Sequence, residues 1–148
     1  MSEQRGVKVQ GLTHWAIPVN DLEESRRFYT EILGMEDRGP VGPVMHCVGF
    51  GDTNILLSVR PTPVPRVEDR DGLTHIAFRV RGEDMDRAIA GLRAWGVQVT
   101  PEFDGGTAER RGDVEIRRVG VFTGRSLYFL DPSGNQLELN DPNLPPDA

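Results

Sequence analysis

Ser126-Leu127-Tyr128-Phe129-Leu130-Asp131-Pro132-Ser133-Gly134-Asn135-Gln136-Leu137-Glu138-Leu139 reads as a β-hairpin, and the rest of the chain is organised around it. Leu127 to Leu130 is aromatic and apolar, as strands are, and Asp131 to Asn135 concentrates turn-favouring residues before a second alternating run. In that second arm Leu137 and Leu139 share one face while Glu138 points to the other. Taken alone, Glu138 is a solvent-facing carboxylate on an amphipathic strand, the commoner outcome for such a residue.

Working outward, the segment before this hairpin repeats an earlier one. Gly11-Leu12-Thr13-His14 returns as Gly72-Leu73-Thr74-His75, an offset of 61 residues (75 − 14), and the match continues through Ala16 with Ala77 and Val19 with Val80. A helix follows each copy. In the first, Asn20 and Asp21 are N-cap types, Leu22, Phe28, Ile32 and Leu33 recur at helical spacing, and Gly34 stops the run. In the second, Asp84 is the expected cap, Met85, Ala88, Ile89 and Leu92 with Trp95 form the apolar stripe, and Gly96 ends it. Strands are expected near residues 12–19, 35–38, 44–50 and 55–59 in the first half, and near 97–103, 117–122 and 126–130 in the second. Residues 104–116, Gly-rich and charged, read as an exposed loop. The expected fold is α+β: two tandem βαβββ modules, about residues 10–60 and 72–140, forming a curved mixed sheet around a cleft within one domain. The Pro-rich stretch 60–71 is the linker and 141–148 the tail.

At 148 residues the chain is long enough to bury a core without disulfides, and Cys47 is its only cysteine. A formal charge of -6, from 17 basic against 23 acidic residues, argues against nucleic-acid binding. No leader and no apolar run of about 20 residues is present, so a soluble, cytoplasmic protein without membrane contact is expected.

The repeat turns His14 and His75 into a matched pair. Each opens a half on an apolar strand, where a lone histidine would be a hydrogen-bonded core residue. Two imidazoles at repeat-related positions, with Glu138 on the last strand, make a facial triad that leaves coordination positions open and suits Fe(II), with Mn(II), Zn(II) or Ni(II) as alternatives.

On Leu12-Thr13-His14, Phe28-Tyr29 with Leu33-Gly34, Thr74 to Phe78, and Tyr128-Phe129-Leu130-Asp131-Pro132 with Gly134 and Glu138, the chain resembles the vicinal oxygen chelate superfamily. That superfamily includes glyoxalases, bleomycin resistance proteins, fosfomycin resistance enzymes and extradiol dioxygenases. The resemblance implies metal ligation by His14, His75 and Glu138, a small substrate that chelates the metal through two oxygens, and a homodimer whose sites combine one module from each subunit. Glyoxalases carry a further carboxylate at the first-half position matching Glu138, read here as Leu57, which weakens an isomerase. The extradiol signature Leu-Tyr-x-x-Asp-Pro-x-Gly is met by Leu127 to Gly134 and implies that Tyr128 orients bound substrate. Ring cleavage with Fe(II) is the leading expectation, although the signature's upstream histidine is absent and His46 is the only histidine left to stand on the substrate side. Fosfomycin-type transferases are also similar over Ser126 to Glu138, and imply Ser126 and Arg118 as substrate contacts. A metal-free, bleomycin-type binding protein is the third reading.

Overall fold

The computed structural model describes residues 6–62, 75–97, 99, 109–118 and 123–143. Within them the chain forms β1 (His14–Val19), α1 (Leu22–Arg27), β2 (Glu36–Pro40), β3 (Met45–Phe50), β4 (Thr53–Val59), β5 (Ile76–Arg79), α2 (Gly82–Trp95), β6 (Glu109–Arg111), β7 (Val114–Arg117), β8 (Gly124–Leu130) and β9 (Gln136–Asp141). Residues 63–74 of the linker and repeat, and most of 97–108, lie outside the described residues.

The repeat is realised as two mixed sheets of related order. The first runs β1-β4-β3-β2 and the second β5-β9-β8-β7-β6. In each, the opening strand pairs in parallel with the last strand of its half, His14 to Val19 against Asn54 to Val59 and Ile76 to Arg79 against Leu137 to Asn140. Among the described residues β1 and β5 are therefore edge strands, each hydrogen-bonded on one side.

Two departures from the sequence pattern have local causes. The first helix is not α-helical to Gly34: α1 stops at Arg27 and Phe28–Ile32 form a π-helical turn closed by Leu33 N–H to Phe28 O at 3.2 Å. The Thr30 hydroxyl donates to Arg26 O at 2.8 Å, and the wider turn places the consecutive side chains of Phe28 and Tyr29 both in the core. The expected loop 104–116 contains a hairpin instead. β6 and β7 pair across Gly112, whose φ of 64° is readily adopted only without a Cβ. Val99 forms an isolated antiparallel bridge to Phe129, and β7 pairs with β8 farther along, so two pieces of chain flank β8 where the first half uses β2 alone.

The core lies where helices meet sheets. Ile17, Val19, Val48, Ile55 and Leu57 from the first sheet and Leu127, Phe129, Leu137 and Leu139 from the second are buried around Phe28, Met85 and Leu92. Phe28 packs edge-on to Trp95 and tilted against Phe129. Tyr29 Oη donates to Asp131 Oδ2 at 2.7 Å, Asn135 Nδ2 donates to Pro18 O at 2.8 Å, and Asn20 N–H donates to Ser133 Oγ at 2.9 Å. The turn of the organising hairpin is thus the polar clamp that joins the two halves. Arg81, not Asp84, is the N-cap of α2, and Asp84 falls in its first turn, where a carboxylate favours the helix dipole. No helix among the described residues is long and apolar enough to cross a membrane.

Candidate metal centre

Strand alternation sets the site. Leu137 and Leu139 face the helices, which turns Glu138 to the opposite face of the second sheet. Register then builds rows across that face. Ala77, Glu138 and Tyr128 stand side by side on β5, β9 and β8, and Arg79, Asn140, Ser126 and Glu115 form the adjoining row.

His75, immediately before β5, brings Nε2 to 3.2 Å from Glu138 Oε1. Ser126 Oγ donates to Glu138 Oε2 at 3.1 Å and accepts from Asn140 Nδ2 at 3.0 Å. The Tyr128 ring stands nearly perpendicular to the imidazole of His75, with centroids 5.7 Å apart. Burial pushes the Glu138 carboxyl upward, but hydrogen bonds from His75, Tyr128 and Ser126 outweigh it and hold the group below its ordinary value, as a carboxylate. An imidazole and an oriented carboxylate fit a divalent cation by donor type.

His14 is not brought to this pair. It begins β1, is exposed, and has Thr13 Oγ1 at 3.4 Å from its Nδ1. Among the described residues, no three His, Cys, Asp or Glu side chains gather closely enough to hold a metal ion. The expected three-donor set is therefore split in one chain, with two donors on the second sheet and the third exposed at the edge of the first.

The remaining expected residues divide in the same way. Ser126 and Tyr128 lie beside Glu138. Arg118 is half-exposed and pairs with Glu109 at 3.3 Å. Its neighbour Arg117, not among the expected site residues, occupies the site face: its guanidinium lies 5.7 Å from the Tyr128 ring centroid and pairs with Glu115 at 3.2 Å. Alternation of Glu115 and Arg117 along β7 was the signal for this. His46 is opposite Leu57 in the β3–β4 register and hence on the helix-bearing face, where Nε2 meets Asp37 Oδ1 at 2.5 Å. This placement corrects the expectation that His46 stands on the substrate side. The same register corrects the matching of halves: Ala77 pairs with Glu138 as Ala16 pairs with Leu56, so Leu56, not the buried Leu57, is the counterpart of Glu138. Leu56 is equally unable to bind metal or accept a proton.

The family model of the Glyoxalase/Bleomycin resistance protein/Dioxygenase superfamily matches residues 11–139, and the chain belongs to that superfamily. It is 28% identical over 136 residues to the metallothiol transferase FosB of Shouchella clausii, covering 92% of this chain and 83% of that one. It is 31% identical over 137 residues to the glutathione transferase FosA of Serratia marcescens, covering 89% and 81%. In three dimensions it resembles the fosfomycin resistance protein FosX of Listeria monocytogenes, solved in complex with Mn(II) and sulfate, with a TM-score of 0.68 and 25% identity over 93% of this chain and 94% of that one.

Proposed function

We propose that this protein is a divalent-metal-dependent enzyme of the fosfomycin resistance type, transferring a thiol to a small phosphonate. The observation that carries the reading is the His75–Glu138 pair, supported by Ser126 and Tyr128, in a chain with 31% identity to a glutathione transferase FosA. Thiol transfer displaces the ring-cleavage expectation, which rests on the hairpin signature and on a three-donor set that the fosfomycin-type reading uses equally. Mn(II), present in the FosX complex, displaces Fe(II) as the favoured ion.

His75 and Glu138 of one chain hold the ion together with His14 of a second copy. Exposure of His14 on an edge strand, away from the pair in its own chain, supports sharing of the site between subunits. A divalent ion so held supplies Lewis-acid stabilisation of negative charge developing on a substrate oxygen. Ser126 and Asn140 keep Glu138 in one orientation. Tyr128 places a hydroxyl beside the carboxylate, and Arg117 brings positive charge to the same face, suited to the anionic end of the substrate.

The test loads protein purified without chelator with Mn(II), adds fosfomycin and glutathione or another small thiol, and follows the phosphonate by phosphorus NMR. Metal- and thiol-dependent conversion is the expected outcome. Oxygen uptake with a catechol after Fe(II) loading, and no change in fosfomycin, would return the protein to ring cleavage. Failure to bind any metal would leave a binding protein.

A further inference from the structure

The first sheet carries a polar chain that ends on His14. The register between β2 and β3 slips between Asp37 and Gly39, which makes Arg38 the extra residue of a β-bulge. Bulges re-aim a side chain out of the regular alternation. Arg38 extends across Gly49: a Cβ at Gly49 would lie 2.6 Å from Arg38 Nη1 and 2.5 Å from Thr53 O, so only glycine leaves the guanidinium its path. Arg38 Nη1 donates to Asn54 Oδ1 at 2.7 Å and to Thr53 O at 3.2 Å, and Nη2 donates to Gly51 O at 2.9 Å.

Asn54 stands opposite His14 in the parallel pairing of β1 with β4. With its Oδ1 fixed by Arg38, its Nδ2 is turned to Thr13 O at 3.4 Å, the carbonyl that also accepts from Asn54 N–H at 3.1 Å. Two donors from one residue therefore grip the peptide that joins Thr13 to His14. Thr13 Oγ1 sits 3.4 Å from His14 Nδ1, on the side of the ring away from Nε2, the nitrogen that would ligate.

We propose that Arg38 and Asn54 are positioning residues for His14, fixing the backbone and ring orientation of the ligand that one subunit presents to the other's His75–Glu138 pair. The inference rests on the metal-site reading above.

The experiment is a double-mutant cycle on the full chain, with Mn(II) affinity read by electron paramagnetic resonance titration and folding by thermal unfolding. Asn54→Ala and Arg38→Gln are each expected to weaken Mn(II) binding about tenfold when His14 is present, the scale of an outer-partner loss. Each should have no further effect in the His14→Ala background. Equal weakening in both backgrounds would mean a general structural role and overturn the proposal, as would unchanged affinity in Arg38→Gln. Arg38 is partly exposed, so its variant remains informative if Asn54→Ala unfolds. His14→Ala with unaltered Mn(II) affinity would instead remove His14 from the metal site, and the positioning role would fall with that reading.

Discussion

His75 Nε2 lies 3.2 Å from Glu138 Oε1, although 63 residues separate the two in sequence. Parallel pairing of β5 with β9 makes them neighbours, and Ser126 holds the far oxygen of the carboxylate. Removing either member removes a donor from the candidate metal centre. His75→Ala and Glu138→Gln should each lose more Mn(II) affinity than the roughly 10- to 100-fold that outer partners control, with the circular dichroism spectrum unchanged. Ser126→Ala should fall within that lower range. Normal Mn(II) titrations for both ligand variants would place the metal elsewhere.

Sharing of the site between copies makes a quantitative prediction. His14→Ala and Glu138→Ala proteins should each fail to hold Mn(II) tightly as pure samples. Mixed in equal amounts and allowed to exchange subunits, they should recover about one quarter of the wild-type sites, because half of the dimers are mixed and one of the two sites in each is intact. A mixture that recovers nothing after subunit exchange, shown by mass spectrometry, would refute sharing.

Tyr29 and Asp131 test the clamp between the halves. Asp131 Oδ1 accepts from the N–H groups of Ser133 and Asn135, and Oδ2 from Tyr29 Oη and Asn135 Nδ2. Tyr29→Phe keeps the ring packing and deletes one donor to a buried charge, so a loss of about 1.5–3 kcal/mol is expected in urea unfolding. Mn(II) affinity should change little, since Tyr29 is remote from the site face.

The acid limb of stability should involve Asp141. Burial raises its carboxyl, but hydrogen bonding from Arg125, at 2.6 Å, and from Asn143 N–H more than offsets this and leaves it below its ordinary 3.8. A carboxylate depressed by folding stabilises the protein above its unfolded value and loses that contribution as pH falls through the lower folded value. Wild-type protein should therefore lose stability below about pH 4 more steeply than Asp141→Asn. Parallel stability curves for the two proteins over that range would count against this role.

Much of this was legible without coordinates. The offset of 61 residues between His14 and His75 defined two halves, and alternation in Leu137-Glu138-Leu139 set the carboxylate apart from the core, because repeats and side-chain parity are local properties of a sequence. Strand parity across the Gly51 turn depends on how many residues the turn takes up, which composition does not settle; the register puts His46 and Leu57 both on the helix-bearing face. Between the adjacent Arg117 and Arg118 one residue of register decides which side chain meets Tyr128. The π turn at Phe28 and the bulge at Arg38 carry no composition signal, since each arises from hydrogen bonds that change partners once neighbouring strands and side chains are in place.

The sequence by itself determined the residue types available for a metal and the faces on which Glu138 and its neighbours lie. Only the tertiary structure decided which of them meet. It joined His75 to Glu138 and left His14 on an edge strand, because strand order and register, set by packing across the whole chain, fix distances that sequence spacing does not.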